Sequence, residues 1–126
     1  MKQLCLLFIA ASMFFSCSTS QNDNNQDFIP GLYVKEIKQE FAIGMDTISI
    51  KVLDKHASTY KIIRKSNYRQ RIDGRFLSPK EEIHNWIAYY DLDKKKLVEP
   101  NNERVFTFLS DKKILLMGTS RYRKVE

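Results

Sequence analysis

The sequence predicts a small all-β domain, a sandwich or a barrel, and three observations support this prediction. Polar and apolar residues alternate along residues 46–52, as they do in a strand that buries one face. Strand-like segments recur at a spacing of about 8–12 residues, which is typical of sandwiches and barrels. The chain of 126 residues contains only 4 glycines and 3 prolines, a composition that excludes collagen-like and low-complexity proteins.

The predicted strands follow one another with short turns between them. The first opens after Pro30-Gly31, and the second is the alternating segment. Asp54 begins a turn before the third strand, and Asp73-Gly74 has the composition of a hairpin turn. Pro100 with the two asparagines that follow it and the polar residues at 110–113 form the later turns. The segments assigned to strands are 31–37, 46–52, 58–65, 68–76, 96–99, 104–109, 114–118 and 121–125.

Residues 78–91 fit two structures. The Ser-Pro-Lys-Glu sequence at 78–81 is a capping box with proline at the first helical position, and apolar residues follow at helical spacing. The same segment also alternates, with His84, Trp86, Ala88 and Tyr90 at every second position, and it is rich in aromatic residues that favour strands. The residues alone leave helix and strand equally open.

The N-terminus has the composition of an export signal. Lys2 precedes twelve mostly apolar residues, 4–15, a run too short to span a bilayer but suited to the apolar region of a secretory signal. Phe14-Phe15-Ser16-Cys17 resembles the lipobox of bacterial lipoproteins, in which the cysteine is lipidated and becomes the first residue. Phe14 stands where leucine is usual, and aromatic residues there resemble lipoproteins of Bacteroides-type bacteria.

We therefore predict a signal peptide over residues 1–16 and a lipidated Cys17. Each buried methylene of the acyl chains contributes about 0.8 kcal/mol, so a three-chain anchor is effectively permanent. A plain secretory signal that ends near a cysteine is the alternative. Residues 18–27 contain no apolar residue, so 17–27 are predicted to be a flexible tether. Residues 28–126, close to 100, then form one domain that is large enough to fold alone.

Short motifs along the whole chain resemble one group of proteins. They include Phe28-Ile29-Pro30-Gly31-x-Tyr33, Tyr60-x-Ile62-x-Arg64-Lys65, Trp86-x-Ala88-x-Tyr90-Asp91 and Leu116-x-Gly118. This pattern is similar to that of small lipocalin-like lipoproteins of Bacteroides-type bacteria, some of which are carried on conjugative elements. The resemblance implies an antiparallel meander that closes into a lipocalin-like barrel, with the last strand beside the first. It favours a strand over residues 79–90 and implies no activity.

Catalytic and metal-binding motifs are absent from the sequence of the predicted domain. Residues 28–126 contain no cysteine, and His56 and His84 stand apart from one another, without the spacing of zinc ligands. A serine-nucleophile motif of the G-x-S-x-G type is also absent. We therefore expect a protein that is not an enzyme and that has no metal ion and no cofactor.

Three sets of residues are candidates for binding or modification. A basic cluster could form an interaction face: Arg64, Lys65, Arg69, Arg71 and Arg75. Aromatic residues could line a barrel and contact a ligand, unless side chains fill the interior: Tyr33, Tyr60, Trp86, Tyr90, Phe106 and Phe108. Asp46-Thr47-Ile48 matches a short pattern at which Bacteroides-type bacteria O-glycosylate exported proteins, which makes Thr47 a candidate site.

Two functions follow from these predictions. The leading hypothesis is a lipid-anchored protein of the bacterial cell envelope, in the outer membrane, that acts as an interaction module for another envelope protein. The alternative is a lipocalin-like carrier of a small apolar ligand. Nucleic acid is not an expected partner, because the predicted location is outside the cytoplasm.

Overall fold

The computed structural model describes residues 24–126 and confirms the predicted all-β class. The predicted signal peptide, Cys17 and the tether up to residue 23 lie outside the described residues. Within residues 24–126, no helix is both long enough and apolar enough to cross a membrane. The elements are α1 Asn24–Phe28, β1 Gly31–Gln39, β2 Ala42–Asp54, β3 Thr59–Ile72, β4 Arg75–Phe76, β5 Lys80–Asp91, β6 Lys96–Glu99, β7 Arg104–Leu109, β8 Ile114–Met117 and β9 Ser120–Lys124.

Eight antiparallel strands close into a barrel. In the order β1, β2, β3, β5, β6, β7, β8 and β9, each strand pairs with the next, and β9 returns to pair with β1. The two-residue β4 pairs only with β3. The closing register places Tyr33 opposite Lys124 and Val34 opposite Arg123. The last strand therefore lies beside the first, as the resemblance to lipocalin-like proteins implied.

Strand pairing determines the structure of two segments, residues 80–91 and the long strand β3. Residues 80–91 form a strand, because each residue from Lys80 to Tyr89 has a partner on β3. The predicted division of β3 into two segments, 58–65 and 68–76, is wrong at its first boundary: the strand runs unbroken from Thr59 to Ile72. The polar pair Ser66-Asn67 reads as a break in the sequence, but Ser66 is buried inside the barrel and Asn67 faces solvent.

The hairpin turn at Asp73-Gly74 is confirmed. Ile72 pairs with Arg75 across a two-residue turn. Asp73 and Gly74 have φ values of 51° and 74°, the two positive angles of a type I′ turn.

The strands differ greatly in length, which gives the barrel two different ends. β2, β3 and β5 have 13, 14 and 12 residues, whereas β6 to β9 have 4 to 6. The long strands and the end of β1 extend past the short ones on the side of the turns at 40–41, 73–74 and 118–119. We call this side the open end, and the side of α1 and the turns at 55–58, 92–95 and 110–113 the closed end.

Helix α1 and the residue pair that follows it cover the closed end. Ile29 is fully buried, and the Tyr33 hydroxyl donates to the carbonyls of Phe28 and Ile29 at 2.9 and 2.8 Å. The Phe28 ring packs edge-on against Tyr33 and Phe108, with centroids 5.9 and 6.1 Å apart. Residues 24–27, assigned to the tether by sequence, thus belong to a helix that leads into this covering contact.

The apolar core fills the barrel above α1. Its side chains come from every second position of the strands, as the alternation predicts. The buried apolar residues are Ile29, Tyr33, Ile48, Ile50, Tyr60, Ile62, Ala88, Tyr90, Leu97, Phe106, Phe108, Leu115 and Tyr122.

Gly44 lets β2 and β3 approach closely near the open end. A Cβ atom at this position would lie 2.0 Å from the Asn67 carbonyl oxygen and 2.6 Å from the Tyr68 Cα. Both contacts are far inside van der Waals distance, and both atoms belong to backbone that cannot swing away. Only glycine therefore fits at this position.

We expect Gly44→Ala to destabilise the protein by roughly 1–3 kcal/mol, the usual cost of forcing an extra carbon into a packed site. The measurement is thermal or urea unfolding followed by circular dichroism. Ser49→Ala is the matched control, because Ser49 lies half-buried on the outer face of the same strand. Equal stability of the two variants would contradict the close approach at Gly44.

Candidate functional site

The apolar core ends at a buried carboxylate that joins three strands. Asp46 on β2 is only 3% exposed. Arg64 Nε lies 3.1 Å from each carboxylate oxygen, and Arg64 Nη2 lies 2.7 Å from Oδ2. Ser66 Oγ donates to Oδ1 at 3.0 Å, and the Tyr122 hydroxyl of β9 donates to Oδ2 at 2.7 Å. This arrangement, the Asp46 network, links β2, β3 and β9.

The network holds Asp46 in its charged form. Burial raises the pKa of the Asp46 carboxyl, but the hydrogen bonds from Arg64, Tyr122 and Ser66 and the charge of Arg64 outweigh burial and lower it below its usual value of 3.8. Burial, together with the hydrogen bond to Asp46, raises the pKa of the Tyr122 phenol, so this group stays a donor. With its oxygens engaged by three donors, Asp46 is suited to hold strands together rather than to accept a proton from a substrate.

Beyond the Asp46 network, the inner surface at the open end carries cations and aromatic rings, with the buried carboxylate of Glu99 among them. Lys35 Nζ donates to Ser120 Oγ at 3.1 Å and lies 5.9 Å from the Tyr122 ring centroid. The Arg104 guanidinium lies 4.1 Å from the Trp86 ring centroid, and His84 stacks beside Trp86 at 5.8 Å with an interplanar angle of 8°. The rings and cations of this surface are suited to stacking and cation–π contacts.

The aromatic residues that the sequence proposed as ligand-lining are placed in two environments. Five of them are only 0–6% exposed and pack in the core: Tyr33, Tyr60, Tyr90, Phe106 and Phe108. A cavity able to hold a ligand would leave accessible surface on its lining, and these side chains have almost none. Trp86 is different, because it is half-buried and lies at the open end.

The basic cluster is divided: Lys65, Arg69 and Arg71 share the outer face of β3, and Arg64 does not. Arg64 points into the barrel and belongs to the Asp46 network, whereas Lys65 faces outward on the same strand. Arg69 and Arg71 lie over the Phe76 ring, at 5.7 and 5.5 Å from its centroid. Arg75 is exposed on β4, beyond the hairpin turn. The strand alternation divides the cluster between the interior and the outer surface.

The candidate glycosylation residue lies within the sheet. Thr47 is half-buried on β2, and its Oγ1 donates to the Lys65 carbonyl at 3.1 Å. A sugar on this oxygen would have to replace that hydrogen bond.

One feature of the surface was not predicted from the sequence: the edge of β5 is open. β5 pairs with β3 from Lys80 to Tyr89, but on its other side β6 pairs only with residues Tyr89 to Asp91. Among the described residues, no strand covers the other side of residues 80–88. A groove of about 530 Å³ runs beside this edge, lined by Trp86, Ile87 and Asn101 among others. Unpaired strand edges are sites at which another chain can add a strand.

Apolar side chains lie along the same part of the surface. Ile83 and Ile87 on β5 are 50% and 58% exposed, and Ile43 and Met45 on β2 are also exposed. Lys65 and Lys61 lie opposite Ile83 and Ile87 on β3. Apolar surface bordered by cations is typical of sites that bind other proteins.

Comparisons of the chain with protein-family models, with curated proteins and with solved structures found no match. Across residues 24–126, no group of three or more histidine, cysteine, aspartate or glutamate side chains is placed to hold a metal ion.

We expect Asp46→Asn to lower the free energy of unfolding by about 1–3 kcal/mol at pH 7, because it leaves donors of the Asp46 network without an acceptor. Urea unfolding measures this effect. Asp93→Asn is the control, because Asp93 is exposed in a turn at the closed end.

The loss of stability in Asp46→Asn should depend on pH. Because folding lowers the pKa of Asp46, its contribution to stability is complete above the ordinary value of 3.8 and is lost as the pH falls through the folded-state pKa. The stability difference between wild type and Asp46→Asn should therefore shrink below about pH 4. A difference that stays constant down to pH 2 would contradict the role assigned to the carboxylate.

Proposed function

We propose that this protein is a non-enzymatic, lipid-anchored protein of the bacterial envelope that binds another protein through its open end. The observation that carries the proposal is the open edge of β5, with the exposed side chains of Ile83 and Ile87 beside it. Long edges of this kind attract other chains and are usually covered or protected by charge. An edge left open beside apolar residues favours a binding surface.

The position of α1 supports an orientation for this module. The lipobox-like sequence ends at Cys17, and only residues 18–23 separate it from Asn24 at the start of α1. Six residues reach at most about 20 Å. Because α1 lies at the closed end, an anchor on Cys17 would keep that end near the membrane. The open end would then point away from the bilayer, toward other envelope proteins.

The carrier hypothesis has weaker support. A small β-barrel is a fold that can hold a ligand. The core aromatic residues, however, are buried against one another, with Tyr33 and Phe106 fully inaccessible. Only Trp86 among the proposed lining residues has surface to offer, and it lies at the open end. Interaction with another protein therefore accounts for more of the structure than transport of an apolar molecule.

A photo-crosslinking amino acid placed at residue 83 of the full-length chain tests the proposal in a Bacteroides-type host. We expect a crosslinked product of higher mass from position 83, since this residue lies on the open edge. The matched control is position 92, where Leu92 is 64% exposed in a turn at the closed end. Products from neither position, or equally from both, would contradict an interaction surface at the open end.

The same strain background tests the anchor. Cys17→Ser removes the thiol that would be acylated, so this variant should leave the membrane fraction while the barrel remains folded. Retention of Cys17→Ser in the membrane fraction would contradict the lipid anchor without affecting the result at residue 83.

A further inference from the structure

The backbone of β5 presents a regular set of free hydrogen-bonding groups. The Tyr90 amide donates to the Ser58 carbonyl of the β3 side at 2.9 Å. Successive residues of a strand direct their amide and carbonyl groups to opposite sides. The even-numbered residues of β5 therefore direct their amide and carbonyl groups to β3. The odd-numbered residues direct these backbone groups to the open edge: Glu81, Ile83, Asn85 and Ile87. In the described part of the chain, no backbone or side-chain group bonds to these four amides and carbonyls.

The other free edge of the long strands is protected. β1 pairs with β9 only at Tyr33 and Val34, so the end of β1 is also uncovered. Its outer side chains are charged: Lys38 Nζ and Glu36 Oε2 form an exposed ion pair at 2.9 Å. Charges of this kind discourage strand addition. On the open part of β5, residues 80–88, charges stand at residues 80–82, and the following part of the edge has Ile83 and Ile87.

Cations border the β5 edge on both faces of the sheet. On the outer face, Lys65 is paired with Ile83 and Lys61 with Ile87. On the inner face, Arg104 lies against the Trp86 ring and is paired with the buried Glu99 across β6 and β7. Side chains of a strand added to β5 would alternate between these two faces. On the outer face, acidic side chains would lie on the side of Lys61 and Lys65, one strand away, and apolar ones would meet Ile83 and Ile87. On the inner face, apolar side chains would meet Trp86.

We infer that the β5 edge, residues 80–88, binds an extended segment of a partner protein as an additional strand, and that this segment contains both acidic and apolar residues. The inference rests on the proposed function and specifies how the partner is recognised. Backbone hydrogen bonds to residues 81, 83, 85 and 87 supply the pairing, and the bordering cations and isoleucines select the side chains.

A second copy of this chain is a poorer occupant. Two β5 edges paired with each other would bring the Lys61 and Lys65 positions of both copies onto one surface. The second copy would add positive charge to this surface and would not supply an excess of acidic side chains to match it. The positive border of the edge therefore favours an acidic partner over self-association.

The test uses an eight-residue peptide of alternating valine and glutamate with blocked ends. It is titrated into the chain that begins at residue 17, with Cys17→Ser to remove the acylation site. Trp86 is the only tryptophan of the protein and lies beside the edge, so its fluorescence reports binding. We expect a saturable change with the valine–glutamate peptide and at least tenfold weaker binding of a valine–lysine peptide.

Two changes separate strand addition from other contacts. Asn85→Pro removes an amide that faces the open edge and leaves the β3–β5 hydrogen bonds in place, so it should weaken binding at least tenfold. Asn85→Ala, the matched control, should bind like wild type. N-methylation of every second peptide residue removes donors from the ligand without altering the protein, and it should also weaken binding at least tenfold in one of the two methylation registers.

Several results would overturn the inference. They are no response to the valine–glutamate peptide, equal binding of the valine–lysine peptide, and binding insensitive both to Asn85→Pro and to N-methylation. If the unliganded chain forms a dimer in sedimentation and Asn85→Pro abolishes this dimer, the edge serves self-association instead. If Asn85→Pro leaves crosslinking at residue 83 unchanged in cells, the protein still binds a partner, but not by strand addition.

Discussion

The rest of the structure depends on a buried carboxylate whose charge is fully matched. Asp46 accepts hydrogen bonds from Arg64, Ser66 and Tyr122, and so links two neighbouring long strands to the strand that closes the barrel. An ionised group inside a protein is tolerated only when it is paired and hydrogen-bonded. The network meets this requirement at the level where the apolar core ends. It allows polar side chains to continue inside the barrel toward the open end.

Below and above this level the barrel has different properties. Toward α1, the interior is filled by aromatic and aliphatic side chains, and Phe28 and Ile29 cover the end. Toward the open end, β6 to β9 stop while β2, β3 and β5 continue, so the sheet no longer surrounds its interior. The closed end thus supplies stability, and the open end supplies exposed backbone, apolar surface and positive charge. This division is the basis of the proposed function.

Much of the fold was predictable from local patterns. Alternation identified β2, turn residues placed the hairpin at Asp73-Gly74, and β6 and β7 were predicted at their observed bounds. The segment at 78–91 was ambiguous because a capping box and a period-two pattern coincide there, and only pairing with β3 decides between them. The role of Gly44 could not be predicted from local sequence, because it depends on the backbone of a strand more than twenty residues away.

The candidate site was less predictable, for a physical reason. The basic residues of 64–75 are close in sequence, but strand alternation sends Arg64 inward and Lys65 outward. The edge of β5 is open because β6 pairs with only its last three residues. Residue patterns do not specify how far β6 runs beside β5. A length comparison of the predicted segments, 4 residues for 96–99 against 12 for 79–90, was the one available indication.

Hydrogen exchange of the free protein, read amide by amide by nuclear magnetic resonance, tests the central claim most directly. An open β5 edge predicts an alternating pattern: slow exchange at residues 82, 84, 86 and 88, whose amides bond to β3, and fast exchange at 81, 83, 85 and 87. Slow exchange at all eight amides would show that the edge is covered and would contradict the account.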